Sequence, residues 1–289
     1  MADDNAVIIE AWNTVLFEKF SRFKHLLTKG LGVHGAEFLR RDPFPKGARV
    51  LDVGCGFGDT TIDIAAAVGA RGSAVGIDCA PNFVRAAEAD AAHAGTANAS
   101  FLVADAQSSH LGGPYDYAFS RFGTMFFNLP GAALRNIRRS LVPGGKLCMI
   151  VWRRREDNPW THEAELRVKQ IVPVVSHEET DQVHCGPGPF SMAGPDLVSN
   201  LVGSAGFRRI TFERHDADIC IGESLEEAVE FGMALGPAGE IIRLAGEEGI
   251  KRKPEVVAAL TEVFERYRRP DGVWPPSSVW FVTAENPLA

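Results

Sequence analysis

Three glycines at alternate positions, Gly54, Gly56 and Gly58, follow directly on the apolar run Val50-Leu51-Asp52-Val53 and precede Thr60-Thr61-Ile62-Asp63-Ile64. The pattern reads as strand, glycine turn, helix. Glycine serves where the backbone takes φ > 0 or lies close against a ligand, and a helix start offers unpaired N–H groups. Such a loop holds a nucleotide-type cofactor. Asp78, ending the next apolar run 20 positions after Gly58, can accept hydrogen bonds from both hydroxyls of a ribose. In Ala104-Asp105-Ala106-Gln107, a carboxylate can accept from an exocyclic amino group while the next backbone N–H donates to a ring nitrogen, which together would read adenine. The plainer roles are a helix cap for Asp78 and a surface turn for Asp105.

The glycine spacing is G-x-G-x-G, with Asp59 at the position where a dinucleotide-binding dehydrogenase needs a third small residue to pack its helix on its strand. Asp59 argues against that rival, an NAD-dependent oxidoreductase. Asp78 suits an adenosine ligand of either cofactor class.

The elements that position these residues alternate. Residues 50–53, 74–78, 101–104, 115–119 and 146–152 read as strands. Between them, 60–68, 81–94 and 132–141 read as helices, with Gly69 and Gly95 as stops and Pro81 at a first turn. Short continuous apolar strands alternating with helices form a parallel sheet covered on both faces, whose ligands sit beyond the carboxyl ends of the strands. Ahead of this core, residues 6–40 carry Ile9, Trp12, Leu16, Phe20, Phe23 and Leu27 at helical spacing and read as two helices broken near Gly30-Leu31-Gly32. They cover an edge of the core; Trp12 and Phe20 are packing residues or part of a lid over the cofactor.

After Trp152 the alternation stops. Residues 153–190 are polar and irregular around one helix at 161–172. Helices follow at 195–205, from the capping box Ser224-Leu225-Glu226-Glu227, and at 254–268; 207–221 reads as a strand pair and 277–284 as a final strand. No linker or solenoid repeat divides the chain, which reads as one domain over 1–289: a helical cover at 1–40, a cofactor-binding core at 46–152, and acceptor-side insertions with a final β-hairpin at 153–289.

The formal net charge of −7 provides no overall basic field for nucleic acid. Arg153-Arg154-Arg155 stands beside Glu156 and Asp157 and reads as a solvated loop. Five scattered cysteines without a C-x-x-C pair read as reduced thiols, and no apolar run has the length of a membrane span. The expectation is a cytoplasmic protein with no metal; the oligomeric state is not legible.

Taken together, these residues resemble the class I S-adenosylmethionine-dependent methyltransferases. Asp52-Val53-Gly54-Cys55-Gly56-Phe57-Gly58, Gly76-Ile77-Asp78, Ala104-Asp105-Ala106 and Leu141-Val142-Pro143-Gly144-Gly145-Lys146-Leu147 match four motifs of that family in order. More narrowly, Phe119-Ser120-Arg121-Phe122-Gly123-Thr124-Met125-Phe126-Phe127 and Asn158-Pro159-Trp160 look like a bacterial ubiquinone/menaquinone-biosynthesis-like branch. The resemblance implies an α/β, Rossmann-like doubly wound seven-stranded sheet, mostly parallel with an antiparallel last strand, plus an N-terminal helical cover and a helical insertion. It implies that Gly54, Gly56 and Gly58 lie along the methionine part of S-adenosylmethionine, with Asp52 and Phe57 also in the cofactor site. Asp78 would hold the ribose and Asp105 with Ala106 the adenine; Cys79 and Gln107 would also be in the cofactor site, and Trp12 and Phe20 would close over it. Ser120 and Arg121 would stand where the fourth strand opens toward the reacting methyl. Ala80 replaces the hydroxyl residue often found before Pro81, and Phe20 stands where this branch often has Trp.

The expected reaction is methyl transfer to a small organic acceptor, aromatic or acidic, at an O, N or C atom; a non-catalytic S-adenosylmethionine-binding protein is the other alternative. The sulfonium methyl is already activated, so alignment and water exclusion carry much of the catalysis. A base would help with a phenol or enol. His162, His177 and His184 are its candidates, and Arg121 could anchor an acceptor carboxylate or phenolate through its planar fork, or serve an internal ion pair. The stretch after the fourth strand, Ser120-Arg121-Phe122-Gly123, lacks the Asn/Asp-Pro-Pro-Tyr/Phe of enzymes that methylate nucleobase amines.

Overall fold

A computed structural model describes residues 2–172 and 187–288, with side chains from Asn5 onward; His177 and His184 lie outside the described residues. The core is a seven-stranded sheet in the order β3-β2-β1-β4-β5-β9-β6. Its strands are β1 (Arg49–Val53), β2 (Ser73–Asp78), β3 (Ala99–Val103), β4 (Tyr115–Arg121), β5 (Leu141–Trp152), β6 (Arg208–Asp218) and β9 (Pro276–Glu285). A separate two-stranded ribbon joins β7 (Arg268–Arg269) and β8 (Gly272–Val273). β1 through β5 pair in parallel, and β9 runs antiparallel to both β5 and β6. Val50, Leu51, Ala118, Phe119, Met149, Ile150 and Val151 are all fully buried, as strands covered on both faces require.

Helix α4 (Asp59–Val68) packs on β1 and β2 and touches α3 (Val33–Arg40) and α5 (Pro81–Ala94); α6 (Pro130–Arg139) packs on β5 and on α8 (Pro195–Ser204), which lies on β6. Between β6 and β9 comes the helical insertion, α9 (Leu225–Leu235), α10 (Pro237–Leu244) and α11 (Gly246–Glu265), packed against α7 (Pro159–Ile171). This cluster stands over the carboxyl ends of the strands.

Several local expectations are corrected. The first forty residues fold as three α-helices, α1 (Ala2–Ala11), α2 (Phe17–Arg22) and α3, linked through π-helical turns at Trp12–Leu16 and Leu26–Gly30. Residues 207–221 form no strand pair among themselves: β6 is one strand, and its partner β9 arrives only after the three-helix insertion, so the terminal antiparallel pair is not a hairpin. α11 starts at Gly246, and Pro254 lies inside it. Proline there leaves the carbonyl four residues earlier without its bond; that residue is Ile250, which is exposed, so water can serve the carbonyl. The capping box holds, with Ser224 Oγ accepting from Glu227 N at 3.1 Å.

Candidate functional site

Beyond the carboxyl ends of β1, β2 and β4 lies a cavity of about 1190 Å³. Gly54 N and Cys55 N both donate to Ile77 O, at 2.8 and 3.0 Å, which pins the glycine loop across the ends of β1 and β2. Gly56 has φ +53°, and a Cβ there would meet nothing within 4 Å on the protein side; the residue is part of the cavity wall. Gly58 behaves differently. It sits in the left-handed region as the N-cap of α4, and a Cβ would meet Ala87 Cβ and Phe101 Cε1 at 2.7 Å. It is absent from the wall. Gly58 has a packing role: it lets α4 pack on its neighbours, one position before Asp59. Asp59 turns to the cavity and to an ion pair with Arg121, 2.7 Å long.

Three carboxylates line the same side of the cavity. Asp52 is buried, accepts from Thr61 Oγ1 at 2.6 Å and has its carboxyl pushed up to about 7 by burial. Asp78 accepts from Gly56 N at 3.1 Å and from Ala80 N at 3.0 Å, so it organises the turn rather than capping α5, whose N-cap residue is Ala80. Burial pushes its carboxyl up as well, and each oxygen keeps a lone pair for a ligand. Asp105 accepts from Gln107 N at 2.9 Å and from Asn5 Nδ2 at 2.9 Å, while Gln107 Nε2 donates to Asn5 Oδ1 at 2.8 Å. Asn5 ties α1 over the pocket. Nothing in the sequence singles it out, because its partner lies 100 positions away.

Phe57, Cys79, Ala106 and Gln107 are also on the wall. Trp12 and Phe20 form its outer side, Trp12 meeting Phe20 at 5.3 Å and Phe126 at 5.0 Å between ring centroids. Ser120 does not reach the cavity. Its hydroxyl is fully buried and donates to Val53 O at 2.7 Å, clamping the end of β4 to that of β1. His162 is also absent from the wall, whereas Thr161, Glu165 and Lys169 of the same helix are on it. Their spacing of four puts them on one face of α7 and turns His162 aside.

The far half of the cavity is aromatic. Phe122 stacks on Trp152 with centroids 4.3 Å apart and planes 14° off parallel, and Trp160 meets Trp152 edge-on at 6.1 Å. Phe122 holds φ +61°, a conformation that costs a bulky side chain of order 1–3 kcal/mol and clusters at functional sites. Phe231 of α9 and residues of α10 complete this side. The sequence reading placed no helix at α10, although Gly236-Pro237 is a usable start signal.

S-Adenosylmethionine matches these residues: carboxylates for its hydroxyls, amino groups and positive charge, and an open backbone face at Gly56. The methyltransferase-domain family matches residues 45–187. Nocamycin O-methyltransferase of Saccharothrix syringae is 31% identical over 189 residues, covering 62% of this chain and 65% of that one, so the chain spans just under two thirds of that relative's length. Demethylmenaquinone methyltransferase of Staphylococcus aureus is 26% identical over 204 residues, covering 68% and 78%. A methyltransferase structure from Bacillus halodurans superposes with a TM-score of 0.54 at 16% identity, covering 88% of this chain and 98% of that one. With the motif order, the sheet order and the carboxylate-lined glycine loop, these matches make the chain similar to the S-adenosylmethionine-dependent methyltransferases, with a methyltransferase domain over residues 45–187.

Proposed function

We propose that the protein transfers the methyl group of S-adenosylmethionine to a small organic acceptor of aromatic character. The observation that carries this reading is one continuous cavity joining the Asp78 and Asp105 wall to the Phe122, Trp152 and Trp160 wall. A donor and an acceptor can lie there end to end. The bound cofactor supplies a methyl on a positively charged sulfur, ready for displacement. This chain's residues bind, orient and exclude water. Asp78 and Asp105 hold the two ends of the adenosine part, and Asp52 and the glycine loop face the charged part. Trp12, Phe20 and Phe126 shut the outer side. Holding two reactants in line is worth up to about 7–11 kcal/mol of barrier in favourable cases.

Arg121 uses one N–H on Asp59 and keeps four more donors, which suit an acceptor oxygen that must be turned toward the methyl. No base is assigned. The volume of about 1190 Å³ speaks against a binding protein with no room for an acceptor, and Asp59 speaks against the oxidoreductase. No described helix is long and apolar enough to cross a membrane. Cys55, Cys79, Cys148 and Cys220 are free thiols, in keeping with a cytoplasmic setting.

Thermal-shift titration tests the cofactor half: S-adenosylhomocysteine raises Tm and NAD does not. Stabilisation by NAD alone would overturn the reading. Incubation with methyl-labelled S-adenosylmethionine and a panel of phenols and aromatic acids then tests transfer.

A further inference from the structure

Two cations on the acceptor side of the cavity share a single carboxylate. Arg155 Nη1 and Lys169 Nζ both bond Glu165, the lysine at 2.6 Å, and all three groups line the cavity. Glu165 is largely buried, with 12% of its side chain exposed, while each cation keeps 46% exposed. Burial raises the Glu165 carboxyl, but the Lys169 hydrogen bond and the Arg155 charge outweigh it and hold the group below the usual carboxylate range. The carboxylate is thus fixed as an anion and spent on its neighbours. Arg155 also lies over the Phe190 ring at 5.2 Å. Among the other described wall charges, Arg121 pairs with Asp59 and Arg243 with Glu240, and Lys19 of α2 adds a further cation.

Among the described residues, Arg155, Lys169 and Glu165 together leave one positive charge in excess beside an apolar floor. The cofactor half is acidic through Asp52, Asp78 and Asp105. We infer that the acceptor is an aromatic acid, whose ring lies on the Phe122–Trp152 stack and whose anionic substituent is taken by Arg155 and Lys169. This rests on the methyltransferase reading for the cofactor half of the cavity. A planar carboxylate suits the guanidinium fork, and Lys169 adds a point charge that is not geometrically selective. Such a site prefers an anion over its neutral isostere, because only the anion gains charge-assisted hydrogen bonds from the two cations.

The experiment is calorimetric titration with 1-hydroxy-2-naphthoate and with the uncharged 1-hydroxy-2-naphthamide, each with and without saturating S-adenosylhomocysteine. The wild-type protein is expected to bind the carboxylate about tenfold more tightly than the amide, the size of one charge-assisted contact. Arg155→Met and Lys169→Met each reduce that ratio severalfold and leave amide binding unchanged. Glu165→Gln shifts the ratio the other way, because it frees both cations, so a misfolded variant cannot mimic the pattern. Equal binding of the two probes, or binding of neither, overturns the inference. The S-adenosylhomocysteine signal in the same samples is separate: its loss counts against the cofactor reading, whereas an intact signal with no anion preference counts against the aromatic acid alone.

Discussion

The Arg121 guanidinium donates Nη2–H to Asp59 Oδ2 at 2.7 Å, joining the end of β4 to the first residue of α4 in a part-buried pair. The two are 62 positions apart. The side chain that argues against a dehydrogenase loop is the one that fixes the Arg121 guanidinium at the cavity wall. Removing one member of such a pair strands the other. Asp59→Ala should therefore cost about 1–3 kcal/mol of stability, and Arg121→Met/Asp59→Leu should recover most of it. Denaturant unfolding of the singles and the double checks this; strictly additive losses mean that the pair is not coupled. Arg121→Met should in addition raise the acceptor KM, which the restored stability of the double variant does not repair.

Asp78 has both oxygens engaged by backbone N–H groups of the glycine loop and the α5 turn. Asp78→Ala should weaken S-adenosylhomocysteine about 10–100-fold, the loss of one or two charge-assisted hydrogen bonds. Calorimetric Kd values decide it. Unchanged affinity removes the ribose assignment.

Gly56 and Gly58 should respond to alanine in opposite ways. The Gly56→Ala methyl points into open cavity, so cofactor affinity should fall by an order of magnitude or more while Tm drops only by the modest strain of a positive φ. The Gly58→Ala methyl collides with Ala87 and Phe101 at 2.7 Å, so that variant should lose about 1–3 kcal/mol of stability. Parallel Tm and Kd measurements separate the two. If Gly58→Ala is the milder in Tm, the close-packing role is wrong.

Behind the aromatic wall, the buried His34 lies 2.9 Å from His215, Nδ1 to Nδ1, and 2.9 Å from Ser277 Oγ through Nε2. Ser277 spends its proton on Ala217 O at 2.7 Å, so His34 Nε2 donates and its Nδ1 accepts from His215. Burial, reinforced by His215, lowers the His34 pKa from 6.5 to about 3. The folded state thus binds fewer protons than the unfolded chain between those values. Stability from this group is complete above pH 6.5 and falls as pH drops, by roughly 2 kcal/mol at pH 5 for this group alone. His34→Gln, which keeps a donor and an acceptor, should flatten the decline in Tm from pH 7 to 5. An identical decline in the variant assigns acid sensitivity elsewhere.

The sequence alone determined the sheet and the cofactor loop, because both rest on neighbours along the chain. Apolar β-branched runs, glycines at positive φ, and carboxylates at strand ends are local patterns, and the order of four such patterns carries the family resemblance. Side-chain destinations set by distant partners were decided only in three dimensions. Gly58 and Gly56 look alike in sequence, and only the presence of Ala87 and Phe101 beside Gly58 separates packing from binding. Ser120 and Arg121 are adjacent and alternate across the strand, so Ser120 turns to Val53 while Arg121 meets Asp59 at the cavity. His162 was singled out for its chemistry, but the period of α7 gave the wall to Thr161, Glu165 and Lys169. The aromatic half of the cavity assembles from the turn after β4 and from β5, α7, α9 and α10. Its aromatic floor and its excess cation come from segments that carry no shared local pattern, and only packing brings them to one surface.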